Sequence, residues 1–177
     1  MYRERNISQP GILRFRPTPA EQYYAIQRLV RPKEVKHLFR RRRRRYGRRR
    51  VSSAALIAGW LRRCLNTGVL RYIPDPASPR DVDYWRSPQN TLRRSGGDCE
   101  DLSILAVSML LIKRVTAYMV TGEVWTGDDY EGHAWVEGRD ERGFFLIEAT
   151  SGELYRYRPE EYEPELLLGL GVFQRAA

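Results

Sequence analysis

The 177-residue sequence predicts an α+β domain. Apolar residues recur at helical spacing up to residue 112, and from residue 117 the period changes to two. The sharpest helix start in the chain, at Cys99, opens the last helical segment before that change.

Residues 1–18 are rich in Pro and Arg without periodicity and are expected to form an extended arm. Residues 19–30 and 33–45 read as helical pieces, with Tyr23, Ile26 and Val30 on one stripe and a break near Pro32. Adjacent arginines repel, and Tyr46-Gly47 ends the second piece. Ser52 and Ser53 can then cap a helix running to Asn66, with Leu56, Trp60 and Leu61 facing inward. Residues 74–90 contain Pro74, Pro76, Pro79 and Pro88 and read as an irregular loop.

Asp98 is placed to cap the following helix, with Asp101 at the capping-box position and Leu102, Leu105, Ala106, Met109 and Ile112 at helical spacing. Residues 117–125, 132–137 and 144–148 alternate as strands. Between the last two lies GRDERG, a polar turn centred between Asp140 and Glu141. A symmetric hairpin about that centre sets His133 directly opposite Glu148 on one face, within hydrogen-bonding reach. The C-terminal segment mixes acids with the apolar LLLGLGV and is expected to pack on the core.

The net charge of +9 comes from thirty-one Lys and Arg against twenty-two Asp and Glu. Nine of those arginines occupy residues 40–45 and 48–50, so the rest of the chain is neutral. Sixteen of the acids follow residue 94, which makes the C-terminal half acidic. The window bounded by Arg40 and Arg50 offers contact to a nonspecific anionic partner, a nucleic acid or a membrane surface, or to the acidic half of a neighbouring chain. Two distant cysteines make no disulfide framework, and Cys64 reads as a packed helix residue. No signal-like apolar segment and no membrane-length apolar run is present, so a soluble, cytoplasmic protein is expected.

The chemistry concentrates in GGDCED, residues 96–101. Cys99 would be the first residue of its helix, where free N–H groups and the helix dipole favour a thiolate. Of the two histidines, His37 and His133, only His133 falls in a structured, Gly-preceded strand. A cysteine at a helix start, a histidine and a carboxylate on neighbouring strands are the parts for nucleophilic acyl transfer. The acids beside Cys99 oppose the thiolate unless they turn away as caps or a cation neutralises them. Zinc held by Cys99, His133 and Glu148 is the weaker metal reading, because no second Cys or His lies at ligand spacing.

The segments DYWRSPQNTLRRSGGDCEDLSILAVSMLL, HAWVE and FLIEAT resemble the transglutaminase-like superfamily, specifically its bacterial cysteine peptidase branch, over roughly residues 51–152. The resemblance implies a papain-like fold, with the nucleophilic cysteine at the N-terminus of a central helix packed on an antiparallel sheet that bears the histidine and the acid. By position it implies Cys99 as nucleophile, His133 as base and Glu148 as third member, where the family usually has Asp. Members of the branch bind calcium through the acids flanking the cysteine, here Asp98 and Glu100, with Asp81 and Asp83 as further contributors. Otherwise no cofactor is required.

The expected organisation is a basic, partly helical extension over residues 1–50, a catalytic domain over 51–160 and a tail over 161–177. The expected activity is a cysteine hydrolase cleaving a peptide or amide bond of a protein or peptide substrate through a thioester acyl-enzyme. An amine acceptor in place of water would make the same triad a transglutaminase. A non-catalytic binding protein working through the Arg window is the reading from another class.

Overall fold

A computed structural model of the protein describes residues 10–15, 18–40, 51–76 and 82–175. The Arg window beyond residue 40, and Asp81, lie outside them. In chain order the elements are β1 (Ile12–Phe15), α1 (Pro19–Leu29), α2 (Pro32–Val35), α3 (His37–Arg40), α4 (Ser53–Asn66), β2 (Arg71–Tyr72), β3 (Asp83–Arg86), α5 (Pro88–Arg94), β4 (Gly96–Gly97), α6 (Cys99–Ile112), β5 (Thr116–Trp125), β6 (Tyr130–Asp140), β7 (Gly143–Glu148), β8 (Glu153–Tyr155), β9 (Tyr162–Gly169) and β10 (Val172–Arg175).

Helix α6 is the centre of the molecule. Every residue from Leu102 to Leu110 is buried, Ser103 and Ser108 included, so the helix is enclosed on all sides. One side faces a six-stranded sheet in the order β10-β9-β5-β6-β7-β8, whose paired strands are all antiparallel. The other sides meet α2, α4 and α5. One continuous core joins Ile26, Leu29 and Val35 to Ile57 and Leu61, to α6 and to Met119, Val136, Phe145 and Ile147 on the sheet. A smaller cluster of Val120, Trp135 and Leu146 lies on the sheet's opposite face.

Several expectations need correction. The extended arm contains β1, which pairs antiparallel with β3 inside the segment read as a loop, and Phe15 packs edge-on against Trp85 with ring centroids 4.9 Å apart. Proline density concealed both β3 and α5, in which Pro88 occupies the first turn, where its missing N–H costs nothing. In α4 the buried stripe is Ala54, Ile57, Ala58, Leu61 and Cys64, with Leu56 and Trp60 only half-buried beside it.

The boundary expected after residue 160 cuts through the main sheet, because β9 pairs with β5. The boundary expected at residue 50 cuts through the core, to which α1 and α2 contribute. Gln27 on α1 also donates to the Gly169 carbonyl (2.7 Å) and accepts from the Gly171 amide (3.0 Å), tying the first long helix to the last hairpin.

The β6–β7 hairpin is offset from the expected register. Asp140 pairs with Gly143, so the loop is Glu141-Arg142 and the centre lies one residue later. The cause is local: the Asp140 carboxylate accepts from the Arg142 amide at 2.9 Å and starts the turn at Asp140, while Gly143 supplies a φ of +94°. Moving the centre by one residue moves each pairing by two, which preserves the face. His133 and Glu148 are therefore diagonal neighbours rather than direct partners.

Candidate active site

Cys99 opens α6 behind the Asp98 N-cap, whose carboxylate accepts from the Asp101 amide at 3.2 Å. Both preceding glycines are required by close approach. A Cβ on Gly96 would strike the Arg71 carbonyl of β2, which pairs in parallel with β4, and one on Gly97 would strike the Asp101 side chain. Asp101 does not close a capping box. Its fully buried carboxylate accepts from the Arg86 amide (2.7 Å) and the Arg86 guanidinium (2.8 Å), and Arg86 also donates to Asp75 (2.9 Å).

The thiol is buried and lies against β6. The Ala134 amide donates toward its sulfur, and one turn along α6 the Ser103 hydroxyl donates to the Ala134 carbonyl at 3.2 Å. Helix and strand thus meet through both polar groups of the residue that follows His133.

His133 Nε2 and Glu148 Oε2 are 2.8 Å apart. The other carboxylate oxygen of Glu148 accepts from the Thr150 amide (2.9 Å) and hydroxyl (2.7 Å), and the Tyr162 hydroxyl donates to Oε2 at 3.0 Å. Burial alone would raise the Glu148 pKa, but the bonds from His133 and Thr150 hold it below the usual value. Burial likewise works against a charged His133, yet the bond to Glu148 and its charge carry the imidazole pKa upward. Trp135 supports both members, stacking near His133 (6.4 Å) and packing edge-on against Tyr162 (5.1 Å).

The environment of the thiol is acidic. Cys99 Sγ donates to Glu100 Oε2 at 3.0 Å, and burial, Glu100 and then Asp98 push its pKa far up. Carboxylate oxygens of Asp75, Asp83 and Asp98 all lie within 4.8 Å of one another. Burial, and then Asp101, Glu100 and Asp75, push Asp98 up to about 9, while burial and then Asp83 push Glu100 up to about 7.

The resemblance implies a calcium pair of Asp98 and Glu100. The structure groups Asp98 with Asp75 and Asp83, while Glu100 holds the thiol and also hydrogen-bonds Asp83. Asp75 carried no local signal, because it arrives on the segment after β2.

Tyr72 was also missed. It is 53% exposed, pairs across from Gly97, and its phenol feels the charges of Cys99, Asp98, Glu100 and Glu148. Burial and those charges raise its pKa to about 12, so the hydroxyl stays protonated and able to donate. Upstream of Cys99, Trp85 Nε1 donates to Asp83 (2.8 Å) and the Gln89 backbone amide to Glu34 (2.9 Å).

Comparison with known proteins agrees with this architecture. Residues 83–170 match the CEP76 peptidase-like domain. LapG of Legionella pneumophila, treated with EGTA, superposes with a TM-score of 0.55 at 19% identity over 71% of this chain and 66% of LapG. The fold is that of the transglutaminase-like cysteine peptidases. Calcium-bound LapG shares this peptidase-like fold with a TM-score of 0.51 at 17% identity, over 70% of this chain and 67% of LapG. A candidate cysteine protease of Cytophaga hutchinsonii aligns at 18% identity and a TM-score of 0.42, over 55% of this chain and 30% of its own. This chain therefore spans just under a third of that protein and about two thirds of LapG. No curated protein matches the sequence. Among the described residues, no helix is long and apolar enough to cross a membrane.

Proposed function

We propose that the protein is a cysteine hydrolase that cleaves a peptide or amide bond with Cys99, His133 and Glu148. The observation that carries this reading is the His133–Glu148 hydrogen bond beside a thiol seated at a helix N-terminus. With Nε2 bound to Glu148, Nδ1 of His133 is the nitrogen that takes the thiol proton. The Cys99 sulfur then attacks the substrate carbonyl carbon, and the carbonyl oxygen gains negative charge. The backbone N–H groups at the start of α6 and the Tyr72 hydroxyl are the donors for that oxyanion. Collapse breaks the carbon–nitrogen bond, His133 returns its proton to the leaving amine, and a thioester remains on Cys99. Water activated by His133 attacks the thioester, releases the acid and restores the thiol.

The acids around Cys99 must be offset for this cycle to run. Arg86 is already shared by Asp75 and Asp101, which leaves Asp83, Asp98 and Glu100 without a cation among the described residues. An all-carboxylate set with three oxygens this close suits a hard cation, and calcium-bound LapG shares the fold. Asp75, Asp83 and Asp98, with Glu100 at their edge, are the residues that would hold calcium. When bound, the ion supplies positive charge beside the helix start and favours the thiolate.

Iodoacetamide labelling tests both parts. In millimolar calcium, Cys99 is expected to react at neutral pH at least tenfold faster than a free thiol, and His133→Ala to remove that excess. Chelator is expected to slow labelling and lower the melting temperature. A Cys99 no faster than free cysteine in calcium would end the catalytic reading; unchanged melts with and without calcium would end the metal reading.

A further inference from the structure

In front of the thiol, the sheet continues beyond the helix that covers it. On the α6 face, Ala134 lies under Cys99 and Ser103, and the next cross-strand pairs on that face are Glu123 with Gly132 and Trp125 with Tyr130. All four of these residues are exposed, and a Cβ on Gly132 would meet only open space. The uncovered ends of β5 and β6 form a shelf that starts one same-face pair beyond Ala134, whose amide meets the thiol.

The shelf has a definite chemistry. Trp125 and Tyr130 are 40% and 42% exposed, with ring centroids 5.2 Å apart and planes tilted by 57°. With Glu160 and Glu161 they line an open cleft of about 450 Å³. The Trp125 amide is anchored to the Glu161 carbonyl (2.9 Å) and the Tyr130 hydroxyl to Glu163 (2.8 Å). Residues 123–132 and 159–165 together carry eight acids, Glu123, Asp128, Asp129, Glu131, Glu160, Glu161, Glu163 and Glu165, and neither Lys nor Arg. The adjacent Arg158 is engaged by Glu137 at 2.8 Å through both carboxylate oxygens.

We propose that this shelf binds a Lys or Arg side chain of the peptide substrate, held near the scissile bond. The inference rests on the peptidase reading and adds the substrate class. Two tilted aromatic faces beside carboxylates take the alkyl stem of a basic side chain along the rings and its charge toward the acids. An acidic or purely apolar segment gains nothing from the carboxylates of Glu160 and Glu161 that line the cleft. Tyr130 lies three residues before His133, roughly 10 Å along the strand at about 3.3 Å per residue. An extended substrate covers that distance in about three residues, so the basic side chain falls two to four residues from the cleaved bond.

Peptide vinyl sulfones test this on the full chain in calcium. Matched probes carry either arginine or its neutral isostere citrulline at the second, third or fourth residue from the electrophile, and labelling of Cys99 is normalised to iodoacetamide. At one of these positions arginine is expected to label at least tenfold faster than citrulline. The preference is expected to fall below threefold in the Glu160→Gln/Glu161→Gln protein or in 1 M salt, with iodoacetamide labelling unchanged. Equal labelling by arginine and citrulline probes, alongside fast iodoacetamide labelling, overturns the shelf and leaves the peptidase reading standing. Slow labelling by iodoacetamide itself overturns both. If the double substitution abolishes self-association and leaves peptide preference intact, the occupant is another copy of this chain and the proposal fails.

Discussion

Glu148 has one methylene more than an aspartate, and its side chain is held by bonds that a local reading of the sequence could not anticipate. Thr150 fixes one carboxylate oxygen, and Tyr162 shares the other with His133. His133 and Glu148 were legible because a hairpin keeps its face even when its centre is misplaced by one. Thr150, Tyr162, Asp75 and Tyr72 were not, since each reaches the site through chain that returns from elsewhere.

The His133–Glu148 pair has a defined pH window. The imidazole pKa is raised and the carboxylate pKa lowered, so the attraction is complete only where both are charged. Its contribution is lost as pH rises through the His133 value and as pH falls through that of Glu148. Glu148→Gln is therefore expected to cost most stability between roughly pH 4.5 and 6.5, with the difference shrinking on either side, as read from denaturant midpoints across pH. Tyr72→Phe is expected to slow acylation of Cys99 by p-nitrophenyl acetate at least tenfold and to leave iodoacetamide alkylation unchanged, because only acylation creates an oxyanion. Equal effects on the two reagents would assign Tyr72 to packing.

At the scale of elements, the β6–β7 turn does more than reverse the chain. Glu141 accepts from the Ser53 amide (3.0 Å) and hydroxyl (2.7 Å), and Asp140 accepts from the Ala54 amide (3.0 Å), so two acids sit on the N-terminus of α4. This serves the first-turn N–H groups and opposes the positive end of the helix dipole. Burial works against the Asp140 charge, yet bonds from Arg156, the Arg142 amide, Ser52 and the Ala54 amide hold its pKa at about 2. The stabilisation is complete above the unfolded value near 3.8 and is lost as pH falls through about 2. Asp140→Asn is expected to cost about 1–3 kcal/mol at pH 7 and progressively less from pH 4 to pH 2, measured by chemical denaturation. The sequence showed a polar turn and a serine cap as separate signals. Their meeting depends on tertiary packing, which periodicity does not report.

For the whole molecule, the helix-to-strand change at residue 112 and the central position of α6 followed from patterns within single segments. The limits of the domain did not. Short strands such as β1 and β3 fall below the length at which alternation is distinctive, and the proline-rich stretch masked the latter. A fragment comprising residues 51–160 lacks α1, α2 and β9. It leaves Met119 and Val120 without Leu168 and Leu167, which pair across from them, and one edge of β5 unpaired. The fragment is expected to lose the cooperative thermal transition that the full chain shows by circular dichroism; a two-state melt within a few degrees of the full chain would place the domain boundary at residue 50 after all.

The contacts between the β6–β7 turn and α4 span 86 and 88 residues of sequence. During synthesis, α4 leaves the ribosome long before the acids that complete its first turn exist, so the nascent helix has only Ser52 to begin it. At about 5–20 residues per second, that wait lasts roughly 4–18 seconds. Helix α4 is thus a late-maturing element, and the stretch around Ser53 stays open to a protease or a chaperone until the β6–β7 turn has been made.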